Sequence, residues 1–301
     1  PGRVREFLNY IIRYKQIEKW LSTFVDKMKE EAYHNNLLHP KFSQTNVVTG
    51  RLSCSDPNFQ NIPRGDKLPI KRVIQSRFDD GEIIEMDFAQ LEFRVAAFLS
   101  QDSQAIQDIL EGVDVHQNTA NVIGCDRQTA KAHTFKPLYG GMSGTDEEKK
   151  YYSYFRKRYK GITLWQEKTE DTAISTSFVT LPSGRQYYFE GIKRASWGGS
   201  NFYTQVRNYP VQGFATGDIV PVACIDIYKS MKNMRTRLIN TVHDSIIIDV
   251  HPKEVDSVLN KLKKACDGIT QSINKRYNID FNVPLDYEIK KGHNWLDLKR
   301  I

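Results

Sequence analysis

The chain has 301 residues, 43 Lys+Arg against 36 Asp+Glu, and 40% hydrophobic content. That is enough apolar material for a buried core of two-domain size, which excludes a disordered chain, and the formal charge of +7 suits a polyanionic partner without identifying one. Cysteines 54, 125, 224 and 266 form no Cys-x-x-Cys pair and have no His at metal-ligand spacing, no apolar run approaches ~18 residues, and Pro1-Gly2-Arg3-Val4 lacks a signal peptide's apolar core; zinc module, disulfide framework, membrane span and secretion are all unexpected.

In chain order, residues 5–33 read as a helix, since Phe7, Leu8, Ile11, Ile12, Tyr14, Ile17, Leu21, Phe24 and Met28 recur at three-to-four spacing with charges between them. Residues 43–66, dense in Ser, Asn, Gly and Pro, read as loop. Ile83, Ile84 and Met86 make a short buried strand ending at Asp87. Residues 90–159 are mostly helical, 161–177 form another helix, and 178–189 a hairpin about Pro182-Ser183-Gly184. A long helix covers 209–231, two strands cover 238–242 and 246–250, a further helix 253–276, and a last strand 283–290. The simplest topology is α+β: a strand, a large helical insertion, and a hairpin that returns to the strand's sheet.

Asp87 closes one strand and Asp244 lies in the turn between two others. If those strands are neighbours, two carboxylates meet at one edge of a small sheet, which is costly unless cations neutralise them. Magnesium suits such a site, because hard oxygen ligands and substrate phosphates complete its octahedron, and two ions would clamp the oxygens of an in-line phosphoryl transfer. The alternative is structural: Asp244 makes the turn and Asp87 caps the next helix. Residues 125–140 shift the balance towards chemistry. Asp126 is placed to cap a helix, and Arg127, Lys131, Phe135 and Tyr139 fall four apart, so a continuous helix turning about 100° per residue sets them on one face. Phosphates would meet the cations and a base or sugar the aromatics. A solvated basic turn followed by core aromatics is the other reading.

Asp87-Phe88-Ala89-Gln90-Leu91-Glu92-Phe93-Arg94 resembles motif A of family A DNA polymerases, the segment from Arg127 to Gly140 resembles motif B, and Val242-His243-Asp244 resembles motif C. Thr49-Gly50-Arg51-Leu52-Ser53-Cys54-Ser55-Asp56-Pro57-Asn58-Phe59-Gln60-Asn61-Ile62-Pro63 is similar to the signature before motif A, and Asn208-Tyr209-Pro210-Val211-Gln212-Gly213 to the element before motif C. The resemblance spans essentially the whole chain. It implies a right-hand polymerase with an antiparallel palm sheet, a helical fingers insertion and a partial thumb helix. Residues 1–40 would be the thumb helix and connection, 41–100 the first part of the palm, 101–205 the fingers, and 206–301 the second part of the palm. The implied activity is template-directed addition of deoxynucleotides to a primer 3′-hydroxyl, with pyrophosphate released. No DEDD-type exonuclease motif is found in the 301 residues, so proofreading is not expected of this chain.

By the same resemblance, two Mg²⁺ ions would be held by Asp87, Asp244 and the backbone carbonyl of Phe88, and Lys131 would assist the leaving pyrophosphate. The nucleotide would meet Gln90, Glu92, His116, Arg127, Lys131, Phe135 and Tyr139. Glu92 would leave no room for a ribose 2′-hydroxyl, and Phe135 stands where the family's alternative is Tyr, which implies discrimination against dideoxynucleotides. Arg51, Gln60, Asn61, Gln212 and His243 would touch the primer–template minor groove, whose acceptors are common to all correct pairs; local hydrogen bonding is the other reading for Asn61 and Gln212. Implied partners are primer–template DNA, deoxynucleoside triphosphates, and a further polypeptide supplying the rest of the thumb or an exonuclease, with no membrane. Details of 135–141 look more like phage-type members, and the implied location is the cytoplasm of a bacterial or phage-infected cell.

Three positions depart from the pattern. Ser245 stands where motif C usually continues with an acid, Pro137 should kink the motif B helix just before Tyr139, and Thr204 replaces an Arg common in relatives, with Arg207 nearby. A single-subunit RNA polymerase or reverse transcriptase shares the two-carboxylate chemistry, but Glu92 and the lack of a Tyr-x-Asp-Asp turn oppose it. A non-catalytic nucleic-acid-binding scaffold would be expected to lose Asp87, Asp244 or Lys131, and all three are present.

Overall fold

A computed structural model describes residues 2–33, 35–63 and 69–301. Pro1 and residues 64–66 of the loop-rich passage lie outside the described residues. The N-terminal arm comprises α1 (Gly2–Trp20), a π-helical turn at Leu21–Val25, and α2 (Asp26–Ala32). Its periodicity is helical as expected, yet α1 buries none of its residues, and inward packing begins only at Phe24 and Met28. Within the expected loop passage, β1 (Lys41–Ser43) pairs antiparallel with β2 (Ser53–Ser55), Lys41 opposite Ser55. Strands of three residues carry too little alternation to be read from sequence.

After β3 (Glu82–Phe88) come six helices: α3 (Leu91–Ser100), α4 (Ser103–Leu110), α5 (Val115–Ile123), α6 (Arg127–Thr134), α7 (Asp146–Arg158) and α8 (Lys160–Thr176). Several starts are set by side chains that answer helix N–H groups left without intrahelical partners. Asp102, Asp114 and Asp126 cap α4, α5 and α6, and Thr145 with Glu148 closes a capping box on α7. The hairpin of β4 (Phe178–Thr180) and β5 (Gln186–Tyr188) follows.

The long helix expected over 209–231 begins earlier. α9 (Tyr203–Gln212) runs through Pro210, widens to a π-helix over Gly213–Ile219, and continues as α10 (Val220–Ser230). The remainder is β6 (Arg237–Val242), β7 (Ser245–Val250), α11 (Val255–Asp267), α12 (Ile269–Tyr277), β8 (Tyr287–Gly292) and β9 (Lys299–Arg300). No helix among the described residues is long and apolar enough to cross a membrane.

Among the described residues, the main sheet has the order β6-β7-β3-β8-β9 with every pair antiparallel. This is the expected α+β topology, with β3 in the centre and the hairpin beside it. Alternate residues of a strand face opposite sides. Ile84, Met86, Ile246 and Ile248 face the large helical cluster, whereas Ile83, Val242 and Ile247 join a smaller cluster with Phe24, Met28, Phe59 and Trp295. The sheet is therefore covered on both faces, and a cavity opens where β3 ends beside the β6–β7 turn.

The π-helix lies against the backbone of the loop before β2. A Cβ on Gly217 would stand 2.6 Å from the carbonyl oxygen of Thr49, closer than any real contact and against main chain rather than a movable side chain. Gly217→Ala is expected to lower unfolding free energy by about 1–3 kcal/mol. Urea denaturation checks this, and an unchanged midpoint would contradict the packing described.

Candidate active site

The site begins where β3 leaves the sheet. Asp87 pairs with Ser245 across to β7, and one residue further on the Phe88 N–H donates to the carbonyl of Asp244 at 3.3 Å. The two strands are thus neighbours, and the aspartates 87 and 244 meet at one sheet edge. In the β6–β7 turn His243 takes φ 57°, a left-handed backbone that a residue with a side chain adopts at a cost of order 1 kcal/mol. Ser245 is buried, and its hydroxyl donates to the Val242 carbonyl at 3.0 Å, so this side chain closes the turn.

A cavity of ≈ 840 Å³ opens at this edge and gathers Asp87, Phe88, Gln90, Glu92, His116, Arg127, Lys131, Phe135, Tyr139, Gln212, His243, Asp244 and Arg51. Gln60 and Asn61 do not line it. They line an adjoining cavity of ≈ 660 Å³, to which Arg51 and His243 also contribute. The Gln60 side-chain amide donates to the Thr241 carbonyl at 3.0 Å, which ties this second cavity to β6. Among the described residues no group of three or more His, Cys, Asp or Glu is assembled for a metal. Two carboxylates beside backbone carbonyls form a hard but incomplete donor set, which suits Mg²⁺ because that ion keeps waters and phosphate oxygens in its shell.

One expectation changes on the far wall. The continuous helix that would align Arg127, Lys131, Phe135 and Tyr139 stops at Thr134, and Pro137 opens a separate 3₁₀ turn, Pro137–Tyr139. Pro137 has no N–H for the carbonyl four residues back, so the helix breaks where only a kink was expected. All four side chains still reach the same cavity. Asp114 joins two helices here: it accepts from the N–H groups of His116 and Gln117 at 3.0 and 3.1 Å and from Arg127 Nε at 2.6 Å. Burial pushes its carboxyl up, but those donors and the guanidinium charge bring it below the usual range.

Beside this turn Tyr139 donates its hydroxyl to Glu92, whose other oxygen accepts from Arg51 at 2.8 Å. Arg51 Nε in turn donates to the Thr216 hydroxyl at 2.8 Å. Burial and then the Glu92 charge push the Tyr139 phenol well up, so it remains a donor. Gln90 sits at φ 53° between β3 and α3. Sequence reasoning missed Thr216 and Glu288. Glu288 lies opposite Asp87 on β8 and lines the same cavity, paired with Arg300 at 3.0 Å. No local pattern marks it, because only the register of β8 brings it there.

His116 is 7% exposed; its Nδ1 lies 3.0 Å from the Thr134 hydroxyl, and Phe135 meets its ring edge-on at 5.2 Å. Burial first, then the charge of Arg127, lowers its pKa from 6.5 to about 4. Between pH 4 and 6.5 the unfolded chain therefore binds the more protons, so this contribution to stability is complete above pH 6.5 and is lost as pH falls towards 4. NMR titration should place the ring midpoint near 4, and His116→Asn should remove about 1–3 kcal/mol of the pH dependence. A midpoint near 6.5 would refute the burial argument.

The chain is 30% identical over 315 residues to DNA polymerase I of Lactococcus lactis subsp. lactis, covering 96% of this chain and 34% of that protein. It is 28% identical over 312 residues to the thermostable DNA polymerase I of Thermus aquaticus, covering 96% of this chain and 36% of that protein. It thus spans about a third of the length of these curated relatives. Among solved structures, the POL domain of Pol1 from M. smegmatis, in complex with DNA primer-template and dNTP, has the same fold: TM-score 0.79 and 24% identity over 97% of this chain and 54% of that one. The model of DNA polymerase family A matches residues 3–297, all five motifs included, and the chain belongs to that family.

Proposed function

We propose that the chain is the catalytic core of a template-directed DNA polymerase. The observation that carries this reading is the single cavity in which Asp87 and Asp244 face Arg127, Lys131 and His116. In this reading residues 41–100 and 206–301 act as palm, 101–205 as fingers, and 1–40 as part of a thumb. Asp87, Asp244 and the Phe88 carbonyl would hold two Mg²⁺ ions, which when bound would polarise the primer hydroxyl and offset charge on the leaving pyrophosphate.

The remaining roles follow from the side chains. Arg127, with its planar fork, and Lys131 receive the triphosphate, and His116 enters as a neutral ring rather than a third cation. The primer 3′-oxygen attacks the α-phosphorus, the bond to the β-phosphate oxygen breaks, and the hydroxyl proton passes to solvent. Lys131 lies where it can offset the charge that develops on the leaving group. Glu92, held by Tyr139 and Arg51, presents a fixed carboxylate under the sugar, and Phe135 lies beside it. Arg51, Gln60, Asn61, Gln212 and His243, spread over the two adjoining cavities, receive the primer–template minor groove.

Asp244→Asn is expected to reduce primer extension with Mg²⁺ by roughly a thousandfold or more, since one ligand charge is lost where charge develops. Extension indifferent to that substitution would defeat the reading. Competition between a deoxy- and a dideoxynucleotide on one primer is expected to favour the deoxy form, because Phe135 brings no hydroxyl to replace the missing one. Near-equal incorporation would show that the Phe135 assignment is wrong.

A further inference from the structure

The break in the motif B helix leaves the carbonyls of Pro137 and Leu138 inside the protein, and buried carbonyls need donors. The Gly140 N–H answers that of Pro137 at 3.0 Å, and one side chain reaches both. Gln166 of α8, 3% exposed, donates from Nε2 to the Leu138 carbonyl at 2.6 Å and to that of Pro137 at 3.3 Å. Its own oxygen accepts from Arg207 of α9 at 3.4 Å, and Arg207 also donates to Glu170 at 2.8 Å. The second Glu170 oxygen accepts from the Ser200 N–H. Both partners of this ion pair are buried, with the guanidinium 3.8 Å from the Tyr203 ring. Arg207, near Thr204, is thus a buried side chain of the fold's interior.

The turn rests directly on this arginine. Gly140 has φ 80°, and a Cβ there would lie 2.7 Å from Arg207 Cδ and 2.8 Å from Tyr203 Cε1. A buried ion pair adds little net stability, since desolvation offsets most of its attraction, but the directed bonds from the two terminal guanidinium nitrogens to Gln166 and Glu170 fix geometry, while Arg207 Nε is left without a partner. What those bonds fix here is the segment carrying Tyr139. Tyr139 holds one oxygen of Glu92 while Arg51 holds the other. None of Gln166, Glu170 and Arg207 lines the cavity itself.

We propose that Gln166, Arg207 and Glu170 are positioning residues: by holding the Pro137–Tyr139 turn they keep Tyr139 on Glu92, and so set the preference for deoxyribose over ribose. This rests on the polymerase reading above. The test compares kcat/KM for a deoxy- and a ribonucleoside triphosphate on one primed template, alongside thermal denaturation of each protein. Gln166→Met keeps the length and loses the donor; Arg207→Met with Glu170→Leu removes the pair as a unit. Both are expected to lose roughly tenfold or more of the preference, as small misplacements at a reacting centre do, while Arg207→Lys, which keeps the charge pair, retains most of it. Should the pair variant fail to fold, Gln166→Met alone decides. An unchanged preference in the folded variants, whatever the change in melting temperature, overturns the proposal. Wild-type protein that extends no primer overturns the polymerase reading itself.

Discussion

Antiparallel pairing between β3 and β7 determines where both aspartates of the site stand. Ile83, Ile84, Met86, Ile246, Ile247 and Ile248 are fully buried, and each such side chain contributes roughly 1.5–3 kcal/mol. A slip of one residue in β3 would exchange its two faces, sending Ile83 to the large cluster and Ile84 and Met86 to the smaller one, each fitted to other side chains. The opposing term, repulsion between two carboxylates at the strand ends, is on the order of 1–4 kcal/mol even at contact distance. The core wins by a wide margin. The two negative charges are thus held together by hydrophobic packing that takes no part in their chemistry.

A second constraint comes from Pro137. A continuous helix would answer its own carbonyls, whereas the broken one passes that of Leu138 to Gln166 on α8, which also reaches the Pro137 carbonyl beside the Gly140 N–H, and the Thr134 carbonyl to the Tyr151 hydroxyl on α7. The broken segment is thereby anchored to the helices behind it at several points. Asp114 does the same on the other side of α6, capping α5 while binding Arg127. The wall that carries the cations is therefore an assembly of short, separately capped helices.

What the sequence made legible was what neighbouring residues decide. Asp126 as a cap, the hairpin about Asp244, and the strand ending at Asp87 depend on a few adjacent side chains and were readable. Glu288 was not, because β8 reaches Asp87 through a register that its own residues do not encode. Nor was the ladder between β1 and β2. The break at Thr134 was half legible: Pro137 announced a disturbance, but its size depends on Gln166, nearly thirty residues away, being there to take the carbonyls. The apolar spacing of α1 gave the helix correctly and left its burial open, since periodicity reports that a face exists and not that anything covers it.

Charge around the cavity argues in the same direction as its geometry. Its wall carries six acidic side chains and five from Lys or Arg, with His116 kept neutral by burial. Four of those five cations are engaged with acids of the same wall: Arg51 with Glu92, Arg94 with Asp286, Arg127 with Asp114, and Lys290 with Glu288. In the polymerase reading proposed above, a triphosphate approaching such a wall would meet little net attraction from side chains already paired. Arg127, which binds Asp114 through Nε, would on that reading meet phosphate through its terminal nitrogens or exchange one charge-assisted bond for another, a step nearly neutral in energy and open to geometric control. On that reading further attraction would come with the substrate, as divalent cations already bound to its phosphates, and the hard oxygens of Asp87 and Asp244 would be suited to receive them. Such a wall would favour the metal-loaded nucleotide over the bare one, which a wall of unopposed lysines would not.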